Sequence, residues 1–172
     1  MPRILILVIT CLLAFLNLSG NNVPYSYTQL SLNKGLSQAS VQAILLDSRG
    51  NLWLGTRNGL NLYAQQKMTN FFHSLKDRHS IPDNQIMNLA EDSLGNIWIA
   101  TAQGLALYNK EKDAFDIFTR GRVQSSLRVE GGILFGGDNA IYFYNYETRE
   151  LEHRTHIQRE GSQTLPIQYR VE

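Results

Sequence analysis

Three sets of residues in this chain could do chemistry by type alone. Trp53 and Trp98 could stack a sugar ring, and the tracts opening at Asp47-Ser48-Arg49-Gly50 and at Asp92 could be read as calcium loops. His73, His79, His153 and His156 could ligate a metal. Each set also has a plainer reading. An EF-hand-type loop needs oxygen ligands at alternating positions and a closing Glu; Arg49 and Leu94 break that set, so the aspartates are expected to cap turns. His153 and His156 stand three apart in a strand or loop and so point to opposite faces, which suits surface histidines better than joint ligands. Glu152-His153-Arg154-Thr155 does not make a kinase phosphoacceptor box, and no phosphate-cradling glycine loop or nucleophile elbow is recognisable. The single cysteine, Cys11, lies inside an N-terminal apolar run, so neither a disulfide framework nor a cysteine-based metal site is expected. The expectation is of no catalytic residue, no metal and no cofactor.

The tryptophans are better explained by what repeats around them. Asp47 to Tyr63 reads DSRGNLWLGTRNGLNLY and Asp92 to Tyr108 reads DSLGNIWIATAQGLALY, with Trp53 and Trp98 45 residues apart. A fixed period of that size marks a repeat architecture. Within the first unit, Val41 to Leu46 is an apolar β-prone run, followed by a turn cluster in which Gly50 supplies a positive φ. Leu52 to Thr56 makes a second strand, Arg57-Asn58-Gly59 a tight hairpin, and Leu60 to Tyr63 a third strand. A fourth is expected around Asn70 to His73. Four antiparallel strands in roughly 40–45 residues, with a Trp in the second, describe a β-propeller blade. A tryptophan at the same place in each blade then serves to pack neighbouring sheets. Thr56 and Thr101 likewise fit hydrogen bonding to a turn.

These residues resemble the two-component-regulator propeller repeat of bacterial hybrid two-component systems of Bacteroides type. The resemblance is carried by Val41, Ile44, Asp47, Gly50, Trp53, Gly55, Thr56, Gly59, Leu60 and Tyr63, with Gly35-Leu36-Ser37-Gln38 ahead of them. The second copy departs from the pattern at Ala100, where Gly is expected. The aspartate tracts are also similar to the Asp-box turns of sialidase propellers, but no glycosidase carboxylate pair can be placed.

The resemblance implies an all-β partial β-propeller of about three four-stranded antiparallel blades plus the first strand of a fourth. The expected organisation is a signal peptide over 1–22 and propeller over 23–172, with a strand at 25–32 that completes the last blade of a closed ring. Blade one covers 38–79, blade two 80–124, a decayed blade three 125–160, and blade four starts at 165–172. Blade three is read from Ile133 to Tyr144, which aligns with Ile97 to Tyr108 although Trp has become Leu134 and Thr has become Gly137. The open flanks are expected to carry Leu45, Leu52 and Trp53 at one end and Leu134, Phe135 and Tyr142 at the other. Such a chain reads as the front piece of a larger receptor.

Composition agrees with export of a β protein. A formal charge of +1 gives nucleic acid no electrostatic hold. The 18% charged fraction is low and 13 glycines suit a turn-rich fold. Arg3 followed by Ile4 to Leu16 has the form of a secretory signal, too short to span a bilayer comfortably. Its cut is left open between about 17 and 24. Val8-Ile9-Thr10 lacks the small residue that a lipoprotein cysteine needs before it.

What remains for function is a binding surface. If the first strand of each blade is innermost, the loop leading into it and the hairpin between second and third strands open at one end of the ring. Gln38, Arg57, Asn58, Asn84, Gln103, Asp138 and Asn139 would line that mouth, and such groups pair with sugar hydroxyls. The expected function is a periplasmic ligand-sensing module of a two-component receptor, anchored in full form in the inner membrane. The resemblance supplies a carbohydrate-fragment ligand, a histidine kinase output, the remaining blades as partners and a homodimer in the full receptor. A truncated exported propeller hydrolase or lyase, or a protein-interaction scaffold, stays open beside it.

Overall fold

The computed structural model describes residues 27–138 and 140–156. Twelve strands form three sheets, each of four consecutive antiparallel strands. Blade one comprises β1 (Val41–Leu46), β2 (Leu52–Thr56), β3 (Gly59–Ala64) and β4 (Lys67–Phe71). Blade two comprises β5 (Ile86–Glu91), β6 (Ile97–Thr101), β7 (Gly104–Asn109) and β8 (Ala114–Arg120). Blade three comprises β9 (Val123–Val129), β10 (Gly132–Gly137), β11 (Ala140–Asn145) and β12 (Leu151–His156). The sheets touch chiefly through their first strands, β1 against β5 and β5 against β9, so those strands are innermost. This is the stacking of propeller blades about an axis.

The blades are held together by two apolar clusters, one at each junction. At the first, Trp53 is 2% exposed and its ring lies 5.0 Å from Tyr108 of blade two and 6.3 Å from Phe71 of its own blade. Ile81, Ile86, Ile97, Ile99 and Phe115 complete that cluster. At the second, Trp98 stands 5.0 Å from Phe118 and meets Phe135 and Tyr144 of blade three at 5.0 and 4.6 Å. The repeated tryptophans are therefore packing residues between blades. Blade three keeps the ladder of the other two although it has lost their signature: Leu134 pairs with Phe143 as Trp98 pairs with Leu107.

Polar ties supplement the apolar ones. Glu91, at the end of β5, accepts hydrogen bonds from the N–H and hydroxyl of Ser48 in the β1–β2 turn of blade one. Between blades two and three, Ser126 donates from its hydroxyl to the Asn88 side chain at 2.8 Å.

Four expectations need correction. Residues 27–31 are not a strand, and Leu32–Lys34 forms a single 3-10 turn closed by Gly35 at φ 92°. This stretch has no ladder neighbour among the described residues; instead the Ser31 carbonyl takes the Lys34 and Leu36 N–H groups, and Leu36 tucks under blade one. The fourth strand of blade one runs over Lys67–Phe71, earlier than expected, because Gln65 and Gln66 both adopt positive φ and turn the chain at once. Blade three starts at Val123, since Gly121 at φ 101° and Arg122 suffice to link it to β8. The flank assignment was out of phase by one residue. Trp53 and Phe135 point into the junctions and Leu45 packs on the first of them, while the exposed side chains are Val41, Ile44 and Leu46 on β1 and Leu127 on β9. The expected signal peptide, the beginning of blade four and Asn139 lie outside the described residues.

Candidate functional site: the polar end of the blades

Two kinds of turn sit at opposite ends of each sheet, and only one kind repeats faithfully. At the β1–β2 end, the Asp47 carboxylate accepts the N–H groups of Arg49 and Asn51 on one oxygen. Its other oxygen takes the Asn51 side-chain amide and Trp53 Nε1, both at 3.0 Å. Asp92 repeats all four bonds with Leu94, Asn96 and Trp98. The aspartate thus closes the turn and fixes the tryptophan that joins the next blade. Burial pushes the Asp47 carboxyl up, but the four donors outweigh it and hold it below the ordinary value of 3.8. A carboxylate whose acceptor positions are filled by N–H groups has none to spare for a cation. Among the described residues no three His, Cys, Asp or Glu side chains converge as metal ligands would.

The other end carries the expected mouth. Its frame repeats: Thr56 Oγ1 donates to the Gly59 carbonyl at 2.8 Å and accepts the Asn58 N–H, and Thr101 does the same with Gly104 and Gln103. Both threonines are fully buried and serve their own hairpins. On this frame, each blade ties the loop leading into its first strand to its β-hairpin by different chemistry. In blade one the Gln38 side-chain oxygen accepts the Arg57 N–H at 3.3 Å. In blade two Gln103 donates to Asp83 at 2.7 Å. In blade three Arg122 pairs with Asp138 at 3.8 Å. Asn84 lies between blades: its carbonyl accepts the Gly59 N–H and its side-chain oxygen the His73 N–H. The Gln103 carbonyl makes the equivalent link to Gly121 at the next junction.

Gln38, Arg57, Asn58, Asn84, Gln103 and Asp138 therefore sit at one end of the stack, with Arg57, Asn58, Gln103 and Asp138 exposed. Sequence reasoning missed Asp83 and Arg122. Asp83 was findable, because it stands 45 residues after Gln38, one full period on. Arg122 had no such signal, since blade three keeps a different spacing. Two grooves lie elsewhere. One of about 880 Å³ runs between the loop 73–82 and β8, lined by His73, Asp77, Arg78, Phe115, Ile117 and Arg120. The other, about 420 Å³, lies at the aspartate end beside Arg49, Tyr108, Lys110, Asp116 and Arg149. Tyr108 is held protonated there, first by burial and then by the Asp113 carboxylate that its hydroxyl bonds.

With this geometry in place, comparison with known proteins is informative. The two-component regulator propeller profile matches residues 35–58 and 80–103. No curated protein sequence matches the chain. Among solved structures, the extracellular domain of a hybrid two-component system from B. thetaiotaomicron is 26% identical with a TM-score of 0.62, over 76% of this chain and 20% of its own. The extracellular domain of a second such system from the same organism is 20% identical with a TM-score of 0.63, over 78% of this chain and 18% of its own. Virginiamycin B lyase from Staphylococcus aureus shares the fold at 18% identity and a TM-score of 0.52, over 69% of this chain and 42% of its own. The chain spans about a fifth of the length of the two-component domains it matches. Blades one and two are two-component regulator propeller repeats, and the three-blade stack folds as part of a hybrid two-component system's extracellular domain does.

Proposed function

We propose that the chain is a non-catalytic, ligand-sensing piece of an exported two-component receptor, and that its ligand is a carbohydrate fragment met at the Gln38–Asp138 end. The observation that carries this reading is the contrast between the two ends of the blades. The aspartate end spends its polar groups on its own turns in the same way twice, whereas the other end varies its polar groups from blade to blade on a constant threonine frame. Variable amides and paired charges on a fixed frame are what selective recognition of hydroxyl-rich ligands uses. Asn139 completes the proposed set by its place in the third hairpin. Export follows from the Arg3 to Leu16 segment and from the extracellular placement of the similar domains. A kinase output and an inner-membrane anchor belong to the receptor as a whole.

Calorimetric titration of the exported chain against a panel of oligosaccharides tests the reading. At least one glycan should bind, and Arg57→Ala with Asn58→Ala should abolish that heat without lowering the unfolding midpoint. A panel with no binder, together with retention of a protein partner at the same surface, would replace sensing by scaffolding. Mass spectrometry of the periplasmic product should show the segment before about 17–24 removed; a product that keeps Met1 would contradict export.

A further inference from the structure

Blades one and three each keep one face uncovered, and blade two shows what such a face is built to meet. Ladder register makes Val41, Ile44 and Leu46 of β1 the counterparts of Ile86, Leu89 and Glu91 of β5, because each sits opposite the equivalent residue of the second strand. Under blade one the blade-two residues are 0, 8 and 8% exposed; in blade one the same positions are 37, 68 and 66% exposed. At the other end of the stack, Leu127, Leu134 and Ile141 occupy the face that blade two, through Trp98 and Leu105, turns toward blade three. Leu127 there is 60% exposed.

One polar difference says which partner fits. Glu91 is a glutamate because the Ser48 N–H and hydroxyl of the preceding blade's turn donate to it. Leu46 in the same place accepts nothing, so the turn that meets it should bring no such donor pair. Blades one and two carry Ser48 and Ser93 in that turn, but the β9–β10 turn of blade three is the short Glu130-Gly131 and lacks both Asp and Ser. Within this chain, blade three is the partner that suits the open face of blade one.

We propose that blade three of one copy docks on blade one of a second copy, and that the reciprocal contact closes two chains into a six-bladed ring. Three blades from each copy give six, inside the range of about four to eight with which propellers close. The contact is head-to-tail, and its closure after two copies leaves no blade face open. Covering both apolar faces supplies the neighbour interaction that each end blade lacks.

Sedimentation of the chain recovered from a periplasm should give a species of twice the chain mass at rising concentration, with nothing larger. Leu46→Glu or Leu127→Glu should each weaken that dimer by roughly tenfold or more, as loss of a central apolar contact does. A mixture of the two variants keeps one undamaged interface and should recover a one-to-one dimer that neither forms alone. Near-UV circular dichroism confirms that the variants fold, and Ile44→Asp with Ile141→Asp repeats the test at separate positions. A monomer at every concentration, open-ended polymers, a dimer indifferent to both substitutions, or a mixture that stays monomeric would each overturn the proposal.

Discussion

The unit of construction at the scale of residues is an aspartate and a tryptophan six positions apart, Asp47 with Trp53 and Asp92 with Trp98, joined by a hydrogen bond of 3.0 Å. The aspartate satisfies the turn and the indole N–H together, so a ring large enough to fill the junction is buried without an orphaned donor. Trp53→Ala should cost about 3–5 kcal/mol, the loss expected for deleting a large buried aromatic; urea unfolding measures it, and an unchanged midpoint with lost glycan binding would make the ring a ligand platform. Acid should act through Asp47. Its carboxyl lies below 3.8 in the fold, so its contribution is present above that value and fades as pH falls through the folded-state value. Asp47→Asn should flatten that part of the acid unfolding curve; a curve that stays parallel to wild type below pH 4 would show the shift to be immaterial. The turn-capping role of Asp47 was legible from its type and place. The bond to the indole was not, because it crosses a hairpin, although the six-residue spacing recurring in two units was the available signal.

At the scale of elements, the fit between blades explains the one position where the second repeat departs from the first. A Cβ on Gly55 would stand 2.5 Å from Ile86 Cγ2 and 2.9 Å from Ile86 Cβ, so blade two approaches too closely for any side chain there. At the next junction Ala100 occupies the place of Gly55, and by register Val123 occupies the place of Ile86. Both lie in the same cluster, and the smaller valine leaves room for the alanine methyl. Gly55→Ala should therefore destabilise the chain by about 1–3 kcal/mol, and adding Ile86→Val should recover most of the loss. Additive effects of the two substitutions would refute this coupling. The first three strands of each unit were legible because apolar runs and glycine turns bound them. β4 was not: the turn at Gln65-Gln66 adopts positive φ without Gly or Asn, so the sequence carries no punctuation there.

The whole molecule is a stack of three blades with a conserved frame and one variable polar end. The propeller class was legible because the period repeats even where the tryptophan is lost. The parity of the flanks was not, since an apolar strand between two sheets is apolar on both faces and alternation cannot orient it. The polar end was legible in outline, but its partners were not. Asp83 and Arg122 reach it from loops whose course depends on how one blade follows the next. Hydrogen exchange read by mass spectrometry, with and without the bound oligosaccharide, tests the central claim most directly. Protection should rise at 57–59, 83–85, 102–103 and 121–122 and stay unchanged at the aspartate turns 47–51 and 92–96. Protection confined to the aspartate turns, or to the groove between 73–82 and β8, would contradict a ligand site at this end of the blades.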